Sequence, residues 1–122
     1  MSTKYVDFVV TGDPARAAAT AEQALVARKF GVTWTDGWTA TSERGSKVAN
    51  VIAGAAAQYF KFGVCIMSGE QGTTVIRLER QSSGWAGGAI GAARTNKNLA
   101  KLRTELESSF SEAGVLRGVS EG

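Results

Sequence analysis

The chain carries no histidine and a single cysteine, Cys65. This removes Ser-His-Asp and Cys-His nucleophilic systems, imidazole metal ligands and the usual general base near neutral pH. Zinc would have to be held by one thiolate and carboxylates, a poor ligand set. Three carboxylates, Asp7, Asp36 and Glu79, fall on segments that read as strands. Paired carboxylates divide acid and base roles when their environments push their pKa values apart. Charged side chains on a solvated strand face need no such explanation, however, and Asp36-Gly37 also reads as a turn. Cys65 shares its strand face with Lys61. A reactive thiolate needs a close positive neighbour or a helix N-terminus, so an inert, partly buried thiol is expected. No catalytic residue, metal ligand or cofactor is assigned, and the chain is expected not to be an enzyme.

Two further groupings could bind rather than react. The glycine-rich stretch 83–91 follows a strand and precedes a helix, where phosphate loops occur. Its Gly84, Gly87, Gly88 and Gly91 match neither the dinucleotide nor the P-loop spacing, although Arg94 and Lys97 lie close to the helix start. The second grouping is aromatic. Trp34, Trp38, Phe60, Phe62 and Trp85 are the candidate ligand-binding residues. Aromatics on a sheet can stack bases, but residues 59–66 lack the basic-Gly-aromatic opening of that motif. A net charge of +3 is far from a nucleic-acid-binding stripe, so no nucleic-acid partner is expected.

The elements that must position these residues follow from periodicity. Val6, Phe8 and Val10 alternate with Asp7, which reads as a strand. Asp13 and Pro14 are an N-cap and a first helical residue, opening an alanine-rich helix over residues 15–30. Ala18, Ala21 and Leu25, with Ala17 and Ala24 beside them, form a small-residue seam that lets the helix lie close to a sheet. Gly31 is the expected left-handed stop. Residues 32–42 read as a strand. Asp36-Gly37 is a hairpin signal, yet Val32, Trp34, Trp38 and Ala40 share a face if the strand runs through, so one long strand bent at Gly37 is favoured. Val48, Ile52, Ala55 and Tyr59 fit helical spacing better than strand spacing. Residues 59–68 and 73–82 alternate about the Gly69–Gly72 turn and read as an antiparallel hairpin. Leu99, Leu102, Leu106 and Phe110 mark a long amphipathic helix, capped by Thr95 or Asn96 and ended by Gly114. Residues 117–122 are expected to be a flexible tail.

The expected fold is thus α+β: an antiparallel sheet of about four strands with helices on one face, in the order β-α-β-(short α)-β-β-α. One domain over residues 1–116 accommodates it, since 122 residues suit a single core. The layout resembles helix-grip and related sheet-plus-helix folds in architecture alone, and architecture does not fix function. One cysteine allows no intrachain disulfide and points to a reducing, cytoplasmic setting. Asp7 interrupts the N-terminal apolar stretch, so it does not read as a signal peptide. Residues 48–67 carry Asn50, Gln58 and Lys61 and do not read as a membrane span. Two functions fit this frame. The first is a non-catalytic domain holding an apolar or amphipathic small molecule between the C-terminal helix and the sheet. The second is a homodimeric interaction module using a sheet face that exposes Trp34 or Trp38.

Overall fold

The computed structural model describes residues 4–44, 60–80 and 88–122. The segment 47–57, expected to be a short helix, lies outside the described residues.

The first strand, β1 (Tyr5–Val10), buries Val6, Phe8 and Val10 and turns Asp7 to the other face. Helix α1 (Pro14–Ala27) begins as its sequence dictates: Asp13 accepts from the Ala15 amide at 3.0 Å, and Pro14 occupies the first turn. Its buried stripe is Ala17, Ala21, Ala24 and Leu25, three small side chains and one large one that seat the helix close to the sheet. The helix stops earlier than expected. Lys29, not Gly31, takes the left-handed conformation, with φ of 71°. The Phe30 amide then donates to the Leu25 carbonyl and the Lys29 amide to the Val26 carbonyl, a Schellman closure. Leu25 and Phe30 are both buried, supplying the apolar contact that accompanies this motif.

The segment expected to be one long strand is a hairpin of two, β2 (Gly31–Trp34) and β3 (Thr39–Arg44). The reason lies at Asp36, whose carboxylate accepts the amides of Trp38 and Thr39 and closes the turn. Trp34 stands opposite Ala40, and Val32 opposite Ser42. Opposed residues share a face, so the apolar alternation survives the turn and could not distinguish it from a straight strand. Strands β4 (Phe60–Ser68) and β5 (Thr74–Arg80) form the expected hairpin about a turn of 3-10 helix at Glu70–Gly72.

Helix α2 (Gly88–Glu112) starts well before the expected cap at Thr95 or Asn96, so the glycine-rich stretch is helical from Gly88. Leu99, Leu102, Leu106 and Phe110 form its buried stripe. It ends as α1 does. Gly114 has φ of 74°, the Val115 amide reaches the Phe110 carbonyl, and the Gly114 amide reaches Ser111. This turn drops the chain beside β1. Residues 117–122, expected to be a loose tail, instead run as β6 (Leu116–Glu121), paired antiparallel with β1. Val119 and Leu116 pack against the core from this strand.

The sheet therefore has six antiparallel strands rather than about four, in the order β2-β3-β4-β5-β1-β6. Both described helices lie on one face, packed against each other, α1 over β2 and β5 and α2 over β1 and β6. The core between them holds Phe8 against Phe110 and Phe30 against Phe62, with ring centroids 5.9 and 5.7 Å apart. Among the described residues no helix is long and apolar enough to cross a membrane.

Candidate functional site

The face of the sheet opposite the two described helices carries a charged cluster that the fold builds across strands. Register places Thr39, Cys65, Arg77, Asp7 and Ser120 in a row across β3, β4, β5, β1 and β6. At its centre Arg77 grips Asp7 through two parallel hydrogen bonds, Nε to Oδ1 at 2.8 Å and Nη2 to Oδ2 at 2.9 Å. The guanidinium also lies over the Tyr5 ring, its carbon 4.0 Å from the ring centroid. Asp7 keeps only 14% of its side-chain exposure and Arg77 33%. The hydrogen bonds to Asp7, with its charge, hold the Arg77 proton more tightly than in a free arginine and raise its pKa. Val75, Val9 and Met67 stand at the next level of the same face, half-buried.

This arrangement positions but does not transfer protons. The guanidinium stays charged across working pH, and the Asp7 carboxylate is committed to it on both oxygens. Asp7 and Glu79 do share a face, but Asp7 pairs with Arg77 in the register while Glu79 pairs with Tyr5. Asp36 is a turn residue, occupied by two amides. Cys65 is a free, half-buried thiol facing Arg77 across the ladder. Among the described residues, no group of three Cys, Asp or Glu side chains is placed to hold a metal.

The described side chains among the aromatic residues singled out for ligand binding lie in different settings. Phe62 is fully buried in the core. Trp34 lies half-buried on the helix-covered face, its indole Nε1 donating to Glu22 on α1 at 2.5 Å. Trp38 stands 55% exposed at the hairpin tip. Only the backbone of Phe60 is described, and Trp85 lies outside the described residues. Trp34 and Phe62 share the helix-covered face, with Ala40 and Ser42 of β3 between their strands. The Ser42 hydroxyl is fully buried and has no hydrogen-bond partner among the described residues.

Sequence reasoning missed the Asp7–Arg77 pair. Each residue reads separately as a solvated strand position, and only the adjacency of β1 and β5 joins them. The Glu22–Trp34 bond was equally invisible, because it depends on where α1 settles over β2.

No protein-family model matches the chain, and comparison with curated proteins returns no match.

Proposed function

We propose that the chain is a non-catalytic interaction module that associates with a second copy of itself. The observation supporting this is where the exposed large apolar side chains lie. Among the described residues these are Val26, at 54%, and Trp38, at 55%. Both belong to the α1–β2–β3 side of the molecule. Glu22 reaches Trp34 of β2, and Val26 follows one turn later on the same side of α1. The backbone of Trp38 is held at both ends: Asp36 accepts its amide, and its carbonyl accepts from Ile66 of β4. Tryptophan is enriched among interface anchors, and both exposed side chains fall on one side of the fold. The lack of histidine throughout the chain supports a role without chemistry. The free Cys65 agrees with a reducing, cytoplasmic setting.

Sedimentation across a concentration series tests the reading. The expected result is a reversible dimer that the double variant Val26→Ser/Trp38→Ser weakens about tenfold or more, a loss typical of removing interface anchors. A chain that stays monomeric at every concentration would overturn it.

A second reading, binding of an apolar or amphipathic small molecule on the helix-covered face, is favoured by Ser42. A buried hydroxyl without a partner costs about 1–3 kcal/mol, and a ligand atom could supply the missing bond. The surrounding Ala40, Trp34 and Phe62 would give such a ligand apolar walls. Native mass spectrometry of gently purified protein tests this: a small adduct lost in Ser42→Ala supports it, and bare protein overturns it.

A further inference from the structure

The outer edge of β2 offers more than exposed side chains. The Thr35 amide donates to the Thr39 carbonyl at 2.8 Å, which fixes the phase of the β2–β3 ladder. Antiparallel ladders alternate, so the backbone groups of Thr33 and Gly31 turn inward to Thr41 and Glu43, their register partners. On the other side of β3, Ile66 donates to Trp38 at 2.8 Å, which sets the same phase. The amides and carbonyls of Val32 and Trp34 therefore face outward. Among the described strands nothing pairs with that edge, since β2 is the terminal strand of the sheet.

The two edges of the sheet are treated differently. The other terminal strand, β6, is guarded. A register shift opposite Val9 and Val10 leaves Arg117 as an extra residue, and Glu121 is engaged by Arg103 of α2. Bulges, charges and short length are the usual means of blocking edge-to-edge association, and of these β2 has only its short length. Strand β2, Gly-Val-Thr-Trp, has no charge, no proline and no bulge, and its ladder to β3 is unbroken.

We propose that two copies of the chain join through β2, antiparallel and edge to edge, about a two-fold axis at Thr33. This rests on the self-association reading and names the element that carries it. The strand is self-complementary in that register. The outward groups of Val32 meet those of Trp34 in the partner copy, and the reverse pair repeats the contact. Each such pair exchanges two hydrogen bonds, and β-branched against aromatic is a favourable cross-strand combination. The central pair is Thr33 against Thr33 of the second copy, on the face opposite the described helices. Val26 of α1 lies alongside the new seam. A four-residue strand makes a small interface, so the dimer is expected to be weak and to form only at the high end of a concentration series.

Thr33 is exposed, so its substitution leaves the core intact. Thr33→Glu places like charges at the axis, and so does Thr33→Lys. Each is expected to weaken the dimer about tenfold or more at low salt, and mixing the two variants is expected to restore association. Residues in a non-hydrogen-bonded antiparallel pair approach closely enough for a disulfide. Thr33→Cys in a Cys65→Ser background is accordingly expected to form a covalent dimer under mild oxidation. Far-ultraviolet circular dichroism of each variant checks that it folds. A wild-type dimer that neither charge variant disturbs and that Thr33→Cys does not lock would overturn the β2 pairing while leaving self-association standing. A wild-type chain that remains monomeric would overturn both.

Discussion

The Asp7–Arg77 pair offers the sharpest test of how the sheet face opposite the described helices is held together. Two unit charges about 4 Å apart attract by about 4 kcal/mol at the effective dielectric near a protein surface and by about 1 kcal/mol in water. With Asp7 at 14% and Arg77 at 33% exposure, the pair lies between those limits. Fully exposed pairs contribute about 0–1 kcal/mol, and removing one partner of a buried pair costs about 3–5 kcal/mol. Partial desolvation of Asp7 offsets some of the attraction. The two-pronged geometry and the Tyr5 ring add to it, the ring contact by about 0.5–1 kcal/mol. The expected coupling between Asp7 and Arg77 is therefore about 1–2 kcal/mol.

The assay is a double-mutant cycle, Asp7→Asn with Arg77→Met, read by urea unfolding at low and high salt. Arg77→Lys keeps the charge but loses the fork and the flat face over Tyr5, and is expected to recover less than half of the coupling. Acid–base behaviour follows by sign. The folded pKa of Arg77 is raised, so its stabilisation is complete below the ordinary arginine value and fades only above it. The coupling should thus stay constant between about pH 7 and pH 10. A coupling below about 0.3 kcal/mol, or an Arg77→Lys variant indistinguishable from the wild type, would refute the reasoning.

Other expectations follow from the helices. Lys29→Gly relieves a left-handed non-glycine residue at the end of α1 and should stabilise the fold by about 0.5–1 kcal/mol, after the greater freedom of glycine in the unfolded chain is subtracted. Gly114→Ala makes the opposite change at the end of α2 and should destabilise by about 1 kcal/mol, so melting temperatures moving in opposite directions check both. Phe110→Ala empties the contact with Phe8 under α2 and should cost about 3–5 kcal/mol in urea unfolding.

How much of this was legible in the sequence depended on whether the information was local. The N-cap at Asp13-Pro14 and the β4–β5 hairpin are local, and both form as read. The left-handed stop falls at Lys29 rather than at Gly31 because tertiary burial of Phe30 outweighs the usual preference for glycine. Strand β6 escapes a sequence reading because Leu116, Gly118 and Val119 do not alternate cleanly, and its pairing with β1 spans most of the chain. The same distance hides Asp7 from Arg77. Phe62 reads as a ligand contact only through an alternation that core burial explains equally well, and its ring packs instead against Phe30.

The core itself gives the β2 edge a reason to associate. Under α2 the buried residues are large: Leu99, Leu102, Leu106 and Phe110 against Val6, Phe8 and Val10. Under α1 most are smaller: Ala17, Ala21 and Ala24 with Leu25 on the helix, and Ala40 with Ser42 on β3, with Phe30 at the helix end as the larger exception. Stabilisation scales with apolar area removed from water, so the described α1–β2–β3 side contributes less per element and should open first. Residue-resolved amide exchange makes this measurable. At low concentration the Thr33 amide, bonded inward, should be slower to exchange than those of Val32 and Trp34, which face outward. At high concentration the outward amides should slow as a second copy pairs with them, while amides of β1 and β5 are unchanged. If Val32 and Trp34 exchange at the same rate at both concentrations while sedimentation shows a dimer, the seam lies elsewhere. If the alternation is absent even at low concentration, the β2–β3 ladder phase on which the pairing depends is wrong.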